Sequence, residues 1–160
     1  MATITECDRR ADVAVNTMVK SMVALALVPA HVNWALVATA MATGVVAIGL
    51  SYEVKLTRDE AWKLIRQFFM AAGLTFMMLQ CGSKILAMIL ATTGIGYGGA
   101  VALDCAISAA QGYAVGMGAR EHFRREFLGS QPLSQADLGR LIRESFLRKK
   151  TEMKQEAAHA

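Results

Sequence analysis

Apolar residues fill two long stretches of this chain almost without interruption. Residues 21–52 carry no Asp, Glu, Lys or Arg, and residues 67–119 carry only Lys84 and Asp104. Nowhere does the chain alternate apolar and polar residues with the period of two that a half-buried strand needs, so the pattern predicts an all-α fold. Breakers and caps set the helix ends. A first helix is expected from about residue 8 to residue 28, stopping at Pro29, whose ring nitrogen has no proton to donate to the backbone ladder. A second begins near Asn33, a usable N-cap, and continues to about residue 52. Thr57, Arg58, Asp59 and Glu60 form a capping box that opens a third helix. On it Trp62, Ile65 and Phe69 share a face, and toward residue 90 it turns apolar nearly all round, with Gly73 and Gly82 as weak points. Residues 92–99 hold four glycines and predict a turn. A fourth helix is expected from about residue 100 to residue 127, ended by Gly129, Ser130 and Pro132. Ser134 and Asp137 start a final one reaching about residue 150. The expected architecture is a small bundle of about five helices with glycine-rich apolar hairpins. Residues 1–128 form its apolar helical domain, and residues 129–160 form a basic amphipathic C-terminal helix and tail.

A helix that meets water normally carries charge on its outer face, so the missing charges predict a membrane-associated protein. A spanning helix needs about 20 mostly apolar residues. Residues 67–90 and 100–119 satisfy that length and predict a two-span hairpin within residues 67–119, joined at the glycine turn. The 32 residues of 21–52 are too many for one span and too few for two spans and a turn. They predict a bent, shallow hairpin hinged at Pro29. Lys84 and Asp104 lie at comparable distances from the glycine turn and form a candidate intramembrane pair. Pairing reduces the ~2.5–3.5 kcal/mol that a lone charge costs at bilayer depth. Basic residues accumulate on the cytoplasmic side. Both termini and the charged regions are therefore expected in the cytoplasm. The same pattern also fits a soluble oligomeric bundle whose helices bury one another.

Composition places the remaining signals. Hydrophobic residues make up 54% of the 160, with a mean hydropathy of +0.36. Nine of the 17 basic residues lie at or beyond Arg120, so the positive charge belongs to the C-terminal part. There Leu138, Leu141, Ile142 and Phe146 recur at helical spacing. Arg140, Arg143, Arg148, Lys149 and Lys150 occupy much of the rest, as in a helix that meets an anionic lipid surface or an acidic partner. The segment has no base-stacking or groove-reading element, which argues against nucleic acid. Gly112 and Gly116, preceded by Ala102, Ala106 and Ala110 at four-residue steps, predict a smooth face for close helix contact, within the chain or in a homo-oligomer.

Candidate chemistry is sparse. Cys7, Cys81 and Cys105 have no metal-type spacing, and His31, His122 and His159 are isolated, so no metal site is expected. Gly94, Gly96 and Gly99 match G-x-G-x-x-G, but a dinucleotide site needs a preceding strand and an acidic residue about 20 positions on. No P-loop pattern occurs, and no nucleophile can be matched to a base. The expectation is a protein that is not an enzyme and carries no cofactor. Mixed charges among residues 6–20 also argue against a cleaved secretory leader.

The order of segments resembles a known family. Val28-Pro29 precedes an apolar helix, then come Ser51-Tyr52-Glu53-Val54-Lys55-Leu56-Thr57-Arg58-Asp59-Glu60-Ala61, Gly94-Ile95-Gly96, and Gly112-Tyr113-Ala114-Val115-Gly116 before His122-Phe123. This is similar to the YcjF-like bacterial domain of unknown function, often attached to Era-like GTPase domains or encoded beside a GTPase. The likeness covers about residues 20–128 and departs at Thr93, where the family pattern has proline. The resemblance implies a membrane-associated helical adaptor or scaffold at a bacterial inner membrane that partners a separate GTPase. The alternative is a small structural subunit of a larger membrane complex or pore.

Overall fold

The structure, a computed structural model, describes residues 2–27, 30–73 and 97–159. These form five helices and no strand: α1 (Ile4–Ala26), α2 (Ala30–Ser51), α3 (Arg58–Ala72), α4 (Tyr97–Phe127) and α5 (Gln135–His159). The all-α bundle expected from the hydrophobic pattern is therefore the observed fold. Pro29, Cys81, Gly82, Lys84 and the first five residues of the predicted glycine turn lie outside the described residues; its last three, Tyr97, Gly98 and Gly99, are not a turn but the start of α4, three residues before the expected point.

Local chemistry accounts for several helix ends. Thr3 caps α1 by accepting from the Glu6 amide at 3.3 Å, which starts the helix four residues before the expected point. Both arms of the Thr57–Glu60 capping box are present at α3. That helix stops at Gly73, whose φ of +94° is open to glycine and strained for other residues, so it does not run on toward residue 90. Ser134 caps α5 through the Asp137 amide, and the helix continues nine residues past Lys150.

Helix α4 is the hub and touches every other helix. It runs antiparallel to α1, since Asp8 meets Arg124, Asp12 meets Arg120, and Met22 lies against Gly112. Helix α2 is antiparallel to α1, with Met18 against Gly44 and Tyr52 bonded to Asp8. Helix α5 folds back along α4, and α3 wedges between α2 and α5. Phe68, Phe123, Ile65, Ile107, Ile142 and Val45 belong to one continuous core that includes residues of all five helices.

This packing corrects the membrane-spanning expectation. Among the described residues, no helix is long and apolar enough to cross a membrane. Where they are described, the charge-poor stretches serve helix packing. A helix must be apolar all round when neighbours surround it, whether they are lipids or other helices. Helix α4 has protein on most sides, and α2 is flanked by α1, α3 and α4, burying Val37, Met41, Ala42, Val45 and Ile48. The hairpin predicted within residues 67–119 is interrupted at Gly73, and its central part lies outside the described residues.

Candidate functional site

Polar side chains converge at one half-buried place between helices. The Asp8 carboxylate on α1 accepts from the Tyr52 hydroxyl at 2.6 Å and from Arg124 Nε at 3.3 Å, and Arg120 stands 3.9 Å away. Arg120 Nε also pairs with Asp12 at 2.8 Å. Burial pushes the Asp8 carboxyl up. The hydrogen bonds from Tyr52 and Arg124, with the charges of Arg120 and Arg124, outweigh that and hold it below its ordinary value. Burial, then the bond to Asp8 and its charge, push the Tyr52 phenol well above its usual range. The cluster joins α1, the turn after α2 and α4, and each ionised group has its complement. The arrangement fastens helices; it leaves no unpaired base aimed at open space.

Nearby, His122 of α4 is enclosed between the rings of Phe68 and Phe123, with centroids 6.5 and 5.1 Å away. Burial pushes its pKa down, and Glu126 opposes this in part. A cavity of about 620 Å³ opens between the end of α4 and the start of α5. Of its charged lining residues, Arg125 is paired with Glu121 and Arg140 with Asp137, each at 2.7 Å. Among the described residues no group of three or more His, Cys, Asp or Glu could hold a metal ion.

The basic C-terminal segment is helix α5, with two sides. Its inner side is buried against the bundle through Gly139, Ile142, Ser145 and Phe146. Arg143 donates to the Ala72 carbonyl at 3.1 Å, closing the C-terminus of α3, where a cation also suits the helix dipole. Gly139 lets α5 approach so closely that a Cβ there would lie 2.9 Å from the Ala71 carbonyl carbon. Arg148 lies over the Tyr113 ring at 5.3 Å and donates to its hydroxyl, and Lys149 is 6.0 Å from the same ring. Lys150 sits 6.0 Å from the Phe146 ring. Arg140 remains exposed and paired with Asp137.

The small-residue face of α4 meets α1 of the same chain. A Cβ at Gly112 would lie 2.9 Å from Met22 Cγ, and one at Gly116 would lie 2.9 Å from Met18 Cε. Ala106 and Ala110 are buried, and Ala102 lies in the same helix. Asp104 is half-buried in α4; its proposed mate Lys84 is outside the described residues. The cluster around Asp8 was not anticipated. Its signal was present as Asp8 and Asp12 on one helix and Arg120 and Arg124 on another, each pair four residues apart. Those spacings become meaningful only once α1 and α4 are known to be antiparallel neighbours.

Fold and site together define, among the described residues, an all-helical bundle with a half-buried polar fastening between helices and a basic amphipathic helix packed on it. No protein-family model, no curated protein and no solved structure matches this chain.

Proposed function

We propose that this protein is a non-enzymatic helical adaptor or scaffold that attaches to the cytoplasmic surface of a bacterial inner membrane and works with a separate GTPase. The observation that carries the reading is the two-sided use of α5. Its apolar side is spent on the bundle core, while Arg140, Arg143, Leu147 and Arg148 remain outward. With the apolar side committed, the exposed cations supply electrostatic attraction to an anionic surface, while the rigid body behind them carries the cargo-facing side. The GTPase partner is supported by the YcjF-like order of segments. Attachment is at the surface in this reading, because the described helices are committed to one another.

Fractionation of cells expressing the full chain tests it. Recovery with membranes, release by high salt and co-purification of a GTP-hydrolysing protein are expected. A chain found wholly in the supernatant at low salt, with no such partner, would remove the reading. Retention through alkaline carbonate would overturn surface attachment in favour of insertion.

A second reading has an observation of its own. The outward line of α2, Leu36, Thr39, Thr43 and Leu50, is exposed and uncharged. A second copy covering that line would make the protein an oligomeric bundle, or a structural subunit of a larger assembly. Light scattering coupled to gel filtration, with Leu36→Lys and Leu50→Lys as the interface-breaking pair, separates the two readings.

A further inference from the structure

We infer that one flank of α5, together with the adjoining outer face of α3, is a docking surface for an anionic lipid bilayer; this rests on the membrane-attachment reading and names the surface responsible. On α5, Arg140, Arg143, Leu147, Lys150 and Lys154 follow one another at steps of three and four, which lays them along a single line of the helix. No acidic residue interrupts that line. The acids of α5 fall to the other flank, Glu144, Glu152 and Glu156 at four residues per step with Arg148, and Asp137 at the start of the helix, from where it pairs with Arg140 at 2.7 Å. The basic line is the one turned toward α3, because its member Arg143 bonds the Ala72 carbonyl and its neighbour Gly139 abuts Ala71.

Helix α3 extends the same character. Lys63, Arg66 and Met70 are exposed at helical spacing, and no acidic residue occurs between Ala61 and Gly73. Two large apolar tips stand among these cations, Leu147 at 56% exposure and Met70 at 69%. Cations that flank protruding apolar side chains suit a bilayer surface, where the cations meet lipid phosphates and the tips enter the headgroup boundary. Charge complementarity thus selects a lipid surface bearing negative charge. It also explains why the acids of α5 are segregated to the flank away from α3, since an acid within the line would meet the phosphates with like charge.

The test uses the full chain and sedimentation with vesicles of phosphatidylcholine alone or of an equimolar mixture with phosphatidylglycerol. Binding to the mixed vesicles, weakened by salt, and none to the neutral ones is expected. Each Lys or Arg near an anionic surface contributes roughly a fivefold factor in partitioning. The variant Lys63→Gln, Lys150→Gln, Lys154→Gln should therefore lose about a hundredfold. A control, Arg9→Gln, Arg10→Gln, Lys20→Gln, removes the same net charge from exposed positions of α1 and should bind within about threefold of the unsubstituted chain. Urea midpoints of all three proteins establish that each is folded, and Lys63→Gln with Lys154→Gln replaces the triple variant if loss of the Lys150–Phe146 contact unfolds it. Equal losses in variant and control, or equal binding to neutral vesicles, would overturn the assignment of this face. A chain that binds no vesicle yet is recovered with cell membranes would also overturn it, pointing to an acidic protein partner and leaving the attachment reading intact. Absence from both would remove the two together.

Discussion

Met18 should be energetically coupled to Gly44, because α1 drives this side chain between two glycine positions on different helices. A Cβ built on Gly44 of α2 would lie 2.9 Å from Met18 Cγ and 3.0 Å from Met18 Cβ, with the sulfur nearer still, while Gly116 of α4 leaves room for the Met18 methyl. Met18 is 2% exposed, so Met18→Ala loses its burial and leaves a cavity, a change of about 2–5 kcal/mol. Gly44→Ala alone gains roughly 1 kcal/mol of helix propensity. It loses about 1–3 kcal/mol to overpacking, for a net cost of up to about 2 kcal/mol. With Met18 already truncated, the sulfur and Cγ are gone. Only the retained Cβ stays close, which a shift of a few tenths of an ångström relieves. Gly44→Ala should then be neutral or stabilising by up to about 1 kcal/mol. Urea unfolding followed by far-ultraviolet circular dichroism on the four proteins of the cycle gives the coupling, expected at about 1–3 kcal/mol. Additivity within about 0.5 kcal/mol would refute the reasoning, since Gly44 would then be accommodating something other than Met18.

Further outcomes test the Asp8 cluster and the α3–α4 contact. Tyr52→Phe keeps the buried ring but deletes the hydroxyl donated to Asp8. It should cost about 1.5 kcal/mol, near the low end for bonds to charged groups because Arg124 still serves Asp8, and lower the thermal midpoint by roughly 3–6 °C. His122 has its pKa lowered in the folded state, so the unfolded chain binds the proton first. Stability is full above the ordinary value of 6.5 and falls as pH drops from there toward the folded pKa, and His122→Leu should flatten urea midpoints measured across that interval. Asp8, depressed from 3.8, acts in a separate acid window: its stabilising contribution is full above that ordinary value and is lost as pH falls from there through the lower folded value.

Helix existence and the starts of α3 and α5 were legible along the chain because they depend on neighbouring residues, while α1, α2 and α4 begin three or four residues before the expected points. The Thr57–Glu60 box, Ser134 with Asp137, and the absence of any strand period all act within a few residues and need no partner. The extension of α5 to His159 was also local, since Glu152, Met153, Lys154, Gln155 and Glu156 are good helix formers and Lys149 pairs with Glu152 at 3.2 Å. The early start of α1 at Thr3 followed from the same kind of cap. What surrounds a charge-free helix was not legible, because lipid and neighbouring helices impose the same requirement on side chains. Only the arrangement of α4 at the centre, with α1, α2, α3 and α5 around it, assigns the near-absence of charge in residues 103–119 to packing against protein. The fastening at Asp8 depended equally on tertiary structure. Asp8, Tyr52 and Arg124 are separated by 44 and 116 residues from first to second and from first to third, and their chemistry exists only where α1, α2 and α4 meet. The division of α5 into a docked side and an outward basic flank likewise required Arg143 to be seen at the end of α3, because helical spacing defines faces but not the direction each one points.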